Sequence, residues 1–290
     1  MKKILKVFSV LALLCCCMFS FAGCDMFKKE EGANDYASLV AERKIVREVV
    51  NNTKAFLQSN LEQETEPVTT AGVGGGARAV EDPDSLLDNC MRITEYYFSL
   101  IDAIINSSDF VPGKLYNAEI VDDADGEEVT YFFLMNAYCD GDDKVTLNFN
   151  FVLDSKEAEM YSTDSALMAY DIYYNDNNQP IRTVEYECSY WSGTNKDLTY
   201  NEIKFSETGN AVTFYQSTLQ TGATGTRKAI TIEDENGLLE YDESEFTTEM
   251  TTAFATEMES VKEKTYLFNF ARPLSKEAMD ELLDAFNRGN

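Results

Sequence analysis

Few residues in this chain could do covalent or proton-transfer chemistry, and the decisive count is histidine, of which there is none in 290 residues. That removes Ser-His-Asp and Cys-His nucleophile pairs, zinc sites that use imidazole, and the usual general base near neutral pH. Thiols come next. Of seven cysteines, Cys15, Cys16, Cys17 and Cys24 crowd the N-terminus, which leaves Cys90, Cys139 and Cys188 in the body of the chain. Three thiols cannot all pair, so no disulfide framework is implied. Cys90 and Cys188 fall on apolar faces and are expected to be buried and free, with one disulfide plus one free thiol as the alternative. A catalytic cysteine would need a base that the chain lacks.

Carboxylates are abundant, with 51 Asp+Glu against 24 Lys+Arg and a net charge of -27. Two facing carboxyls suffice for glycoside hydrolysis without histidine, but among so many acids no spacing singles out a pair. Asp122-Asp123-Ala124-Asp125-Gly126 and Asp234-Glu235-Asn236-Gly237 echo a calcium loop. With the glycine aligned, however, the first ligand position falls on Val121 or Ile232, so both read as hairpin turns. The run Gly72-Val73-Gly74-Gly75-Gly76 is not followed by Lys-Ser or Lys-Thr, so it reads as a flexible loop rather than a phosphate cradle. No catalytic, cofactor-binding or metal-ligating residue is assigned, and no cofactor is expected. The acidic field repels phosphates, so no nucleic-acid partner is expected.

The first residues carry a different message. Lys2, Lys3 and Lys6 form a basic start, and an apolar stretch from Val7 to Ala22 follows, close to a signal-peptide core and short for a spanning helix. Phe21-Ala22-Gly23-Cys24 then places small residues before a cysteine. This segment resembles the lipobox signal peptide of bacterial lipoproteins, although Phe21 stands where leucine is commonest. The resemblance covers residues 1–24 only. It implies diacylglyceryl transfer to the Cys24 thiol, cleavage between Gly23 and Cys24, and a mature chain held to a membrane by lipid on its extracytoplasmic side. Losing the three lysines of the leader takes the net charge from -27 to -30. The competing reading is an uncleaved N-terminal anchor flanked by Lys28 and Lys29.

The remaining elements follow from periodicity. Residues 24–33 read as a charged tether. Tyr36, Leu39, Val40, Val46, Val50, Leu57 and Leu61 share one helical face, starting near Asn34 or Asp35 and ending near Gln63. Residues 64–80 read as the flexible loop. Asp82 as N-cap and Pro83 at the first helical position open a second helix, whose apolar stripe runs through Cys90, Ile93, Tyr97 and Ile101 to a stop at Asn106. From Lys114 the period becomes 2. Strands are expected near 115–121, 129–139, 144–153, 165–174, 181–191, 199–206, 211–219, 227–233 and 265–270. Val184, Tyr186, Cys188 and Tyr190 share one face, and Glu185, Glu187 and Ser189 the other. Phe246, Met250, Phe254, Met258 and Val261 mark a helix before the last strand, and a final helix is capped by Ser275 and stopped at Gly289. Aromatic residues such as Tyr170, Tyr186 and Trp191 suit cross-strand packing more than a binding platform.

The sum is an α+β domain over 34–290: an antiparallel meander of about 8–9 strands, one face buried, packed by N-terminal and C-terminal helices. Its element order loosely resembles the half-barrel lipoprotein carriers, whose concave side holds acyl chains. Three functions fit: a non-catalytic lipid-anchored binding protein for a hydrophobic small molecule or a protein, an envelope structural or interaction protein, and a carboxylate-based hydrolase.

Overall fold

The computed structural model describes residues 34–63, 85–124, 127–153, 165–191, 195–222 and 225–265, together with Glu281. Gly23, Cys24, the 24–33 tether, the 64–80 loop, Asp82, Pro83, the strand expected at 265–270 and the helix expected between Ser275 and Gly289 lie outside the described residues, Thr265 and Glu281 apart. Two compact units divide the chain, 1–39 and 40–290, and the described part of the first is the beginning of helix α1.

Helix α1 spans Asn34–Gln63 and helix α2 spans Leu86–Ile105. Nine strands follow: β1 Tyr116–Ala124, β2 Glu127–Cys139, β3 Lys144–Leu153, β4 Ser165–Tyr174, β5 Pro180–Trp191, β6 Asn195–Phe205, β7 Ala211–Gly222, β8 Gly225–Asp234 and β9 Gly237–Asp242. A 3-10 turn at Glu243–Glu245 leads into helix α3, Thr248–Thr265. The strands lie in the sheet in chain order, each antiparallel to the next. This is the expected α+β meander. Short turns enforce it, because a hairpin can join only antiparallel neighbours. The Asp234–Gly237 segment forms one such turn: Asn236 N donates to Asp234 Oδ1 at 2.7 Å, and Gly237 sits at φ +106°.

The expectation that only one sheet face is buried is overturned. On the first face, Val46, Val49, Val50 and Leu57 of α1 and Met91, Phe98 and Ile101 of α2 pack on Phe133, Leu147, Phe149, Met168, Tyr170 and Phe214. On the second, Phe254, Met258 and Val261 of α3 cover Leu134, Leu167, Val184, Tyr186, Cys188 and Ile230. Helices on both sides of the central strands make three layers. Period-2 patterning missed this because the buried faces carry polar side chains: Thr146, Asn148 and Asn150 are all buried, as are Thr183, Glu185, Asn201 and Thr231.

Side-chain hydrogen bonds hold the helices in register with the sheet. The polar edge of α1 runs along successive hairpin turns. Cys139 N donates to Glu42 Oε1 at 3.1 Å, Asn178 Nδ2 donates to Glu48 Oε2 at 2.7 Å, and Asn60 Nδ2 donates to Gly209 O at 2.8 Å. The Arg47 guanidinium donates to the carbonyls of Ile105 and Ser107, joining α1 to the C-terminus of α2. Asp82 is not the cap of α2: Ser85 is, its Oγ accepting from Asp88 N at 2.9 Å. The expected stop at Asn106 is the C-cap. On the second face Asp171, 1% exposed, takes Lys264 of α3 at 2.9 Å, Lys144 at 3.4 Å and the Thr146 hydroxyl at 2.7 Å. Burial opposes the charge on Lys144, but Asp140 and Asp171 hold its pKa above the ordinary lysine value.

Candidate functional site

Helix α2 crosses the first face of the sheet, and one edge of it hangs over β4 and β5. The spacing of the helix decides which residues stand there. Phe98 and Ile101 point into the core, fully buried, while Ile93 and Tyr96, on the flank of the helix, stay exposed. Beneath this edge lies a pocket of about 430 Å3, within the range of small-molecule sites. Arg92, Ile93, Tyr96 and Tyr97 of α2 form its wall, and Met168 of β4 with Glu185 and Glu187 of β5 form its floor.

The floor is built by register. Glu185 lies opposite Tyr170 and Glu187 opposite Met168 in the β4–β5 pair, while Asn201 and Thr199 face them from β6. Two positions apart on one strand face, the glutamates stand about 6.8 Å from each other along the chain. Glu185 is held from both sides: the Tyr170 hydroxyl donates to Oε1 at 2.5 Å and Asn201 Nδ2 donates to Oε2 at 2.7 Å. Asn201 is itself oriented, its Oδ1 accepting from Gln216 Nε2 at 2.9 Å. Burial raises the Glu185 carboxyl above its ordinary value, and these two hydrogen bonds pull against it. Burial also pushes Glu187 up, to about 8, with Glu185 adding as a like charge, the Ser189 hydroxyl opposing, and Asp197 adding a little more. Glu187 forms no ion pair with any described residue, and Arg92 across the pocket likewise forms none.

Aromatic rings make the rest rigid. Tyr97 sits 5.5 Å from Phe149 and 5.6 Å from Tyr96, and Phe98 meets Tyr170 edge-on at 5.4 Å. Tyr170 is therefore a core residue, as cross-strand packing implies. On the opposite face Tyr186, Tyr200 and Tyr215 form an edge-to-face row at 5.6 and 6.2 Å. The Tyr215 and Ser217 hydroxyls meet Glu257 of α3 at 3.0 and 2.5 Å.

The three body cysteines are free, with Cys90 and Cys188 buried on opposite sheet faces and Cys139 half-buried. Burial, reinforced by Glu185, pushes the Cys90 thiol well above its usual range. Burial and Glu42 push Cys139 up to about 12. Neither thiol is a ready nucleophile.

The pocket was not legible in the sequence as a site, since Glu185 and Glu187 read there as the solvent face of a strand. The one available signal was glutamate at alternate positions directly opposite Tyr170 and Met168, and that opposition exists only once β4 and β5 are in register. Gly23 and Cys24 lie outside the described residues. No family model, no curated protein and no solved structure matches this chain.

Proposed function

We propose that the chain is a lipid-anchored, extracytoplasmic binding protein, tethered through Cys24 and taking a small ligand in the pocket under α2. The observation that carries the binding half is the pairing of an aromatic wall with two carboxyls on a preformed floor, Glu185 fixed by Tyr170 and Asn201 and Glu187 open to a partner. Such a mix of apolar surface and a few placed polar groups is what small-molecule recognition needs. The anchor half rests on the Phe21-Ala22-Gly23-Cys24 resemblance.

Binding fits the electrostatics better than hydrolysis. A carboxylate hydrolase needs its two acids split, one protonated and one ionised near neutral pH. Here burial raises both Glu185 and Glu187, so neither is set apart as the anionic partner.

Two variants and one measurement test both halves. The intact mass of membrane-extracted protein is taken under non-denaturing conditions for the wild type, Cys24→Ala and Ile93→Trp. The expected wild-type mass begins at Cys24, carries acyl chains and retains a releasable small molecule. Cys24→Ala loses the acyl mass. Ile93→Trp, which fills the pocket from an exposed position, keeps the acyl mass and the melting temperature but loses the small molecule. A mass beginning at Met1 in the wild type overturns the anchor. A wild type that carries nothing and is unmoved by any small molecule in a melting screen overturns the pocket.

A further inference from the structure

Resting on that reading of the pocket, we infer that its ligand is a small zwitterion with an apolar body, of the α-amino-acid type: its ammonium meets Glu187, its carboxylate meets Arg92, and its side chain lies along Ile93, Tyr96 and Met168. Three features of the geometry lead there.

The first is charge placement. A carboxyl floor and a guanidinium in the wall share one pocket of about 430 Å3, and neither Glu187 nor Arg92 is ion-paired with a described residue. A ligand bearing only a carboxylate would meet Arg92 but leave the buried Glu187 carboxyl without a cationic partner. A ligand bearing only an ammonium would leave the guanidinium of Arg92, with its fork matched to a carboxylate, without a partner.

The second is the division of labour on the floor. The oxygens of Glu185 already accept from Tyr170 and Asn201, so Glu185 supplies field and shape. Glu187 lies one strand step further out, half-buried, with the Ser189 hydroxyl as its neighbour. It is the carboxyl free to receive a donor.

The third is the wall. Tyr96 and Tyr97 present rings at 72° to each other, 5.6 Å between centres. Ile93 is 51% exposed and Tyr96 42% exposed, so both can bury apolar surface on a ligand. Ring faces also favour a nearby ammonium.

A proton must leave when such a ligand binds. The groups facing Glu187 are Glu185 and Ser189 on its own strand, Cys90 and Arg92 on α2, Met168 and Tyr170 on β4, and Asp197 on β6. Burial and the acids among them keep the Glu187 carboxyl mostly protonated at neutral pH, with a value of about 8. An arriving ammonium favours the carboxylate, so affinity should climb about tenfold per pH unit between pH 5 and 7 and level off above pH 8.

The test uses three probes with one common body: phenylalanine, phenethylamine and 3-phenylpropionate. Each is titrated by calorimetry into the full chain in detergent, at pH 5, 6, 7 and 8. At pH 7 and 8 phenylalanine is expected to bind tightest, with phenethylamine and 3-phenylpropionate each at least tenfold weaker. Glu187→Gln should cost phenylalanine at least tenfold and flatten its pH profile. Arg92→Gln should bring phenylalanine down to phenethylamine while leaving the pH profile intact, a split that simple unfolding would not produce. Equal binding of 3-phenylpropionate and phenylalanine overturns the inference, as does a Glu187→Gln variant with unchanged affinity and pH profile. If no probe binds while the wild type still carries a molecule that Ile93→Trp displaces, the zwitterion is wrong and the pocket reading stands. If the wild type carries none and responds to none, both fail.

Discussion

Tyr170 and Glu185 are direct partners across β4 and β5, and the tyrosine hydroxyl donates to the glutamate at 2.5 Å with both side chains buried. A carboxyl in such a place is tolerable only because its hydrogen bonds are supplied. Tyr170→Phe should therefore cost about 1–3 kcal/mol, and the cost should depend on pH. The Glu185 carboxyl is raised in the folded chain above its ordinary 4.5, and the Tyr170 bond is one of the forces holding it down. Stability from a raised acid is present below 4.5 and lost as pH rises through the folded value. Removing the hydroxyl raises that value further. Urea unfolding at pH 4.5 and pH 8 should show the larger loss at pH 8; equal losses would refute the linkage.

Asp171 joins three elements at one buried point, binding Lys144 and Thr146 of β3 and Lys264 of α3. Asp171→Asn removes the buried anion and leaves both lysines to Asp140, 2.7 Å from Lys144 and 3.6 Å from Lys264. The lysines are 16% and 25% exposed, so part of the penalty is relieved by water. A loss of about 2–3 kcal/mol is expected, at the low end for a broken buried pair. Hydrogen exchange should show the last turn of α3 opening first. Because the site is buried, added salt should change the difference little; strong salt dependence would argue against it.

Gly209 closes the β6–β7 turn at φ +88°, and a Cβ there would meet the Phe56 ring at 2.9 Å. Phe56 is in turn fixed edge-on against Phe205 at 5.9 Å. Gly209→Ala therefore meets both a backbone penalty and a clash, about 2 kcal/mol together. Adding Phe56→Leu should not fully restore stability, since the left-handed backbone remains. Full restoration in thermal melts would show that the clash was the whole effect.

The thiols give a count that separates processed from unprocessed chain. Native protein should react slowly with a disulfide reagent at pH 8, since Cys90 and Cys188 are buried and Cys139 is raised to about 12. In denaturant, a chain lipidated on Cys24 should yield Cys90, Cys139 and Cys188 alone. All seven cysteines of the sequence would appear if the leader stays attached with Cys24 unmodified. Rapid native labelling of Cys90 would contradict its place on the buried face of α2.

Local pattern alone settled much of this protein. Alternation placed β3 at 144–153 and β4 at 165–174, the bounds observed, because a period of 2 ends sharply where turn residues begin. Spacing of apolar residues found α1, α2 and α3, and missing histidine removed whole classes of chemistry without any coordinates. Local reading failed where a residue's meaning depends on what arrives from far along the chain. The cap of α2 passed from Asp82 to Ser85, since both residue types can cap and only the final helix geometry selects one. The short strand β9 went unseen: in Gly237–Asp242 the adjacent Leu238 and Leu239 break the alternation, and the strand forms by pairing on β8. Glu185 and Glu187 looked like solvent-facing glutamates because alternation says which residues share a face but never what covers it. Only the passage of α2 over β4 and β5, with about 90 residues of chain between Tyr96 and Glu187, buries that face and turns two ordinary acids into the floor of a pocket.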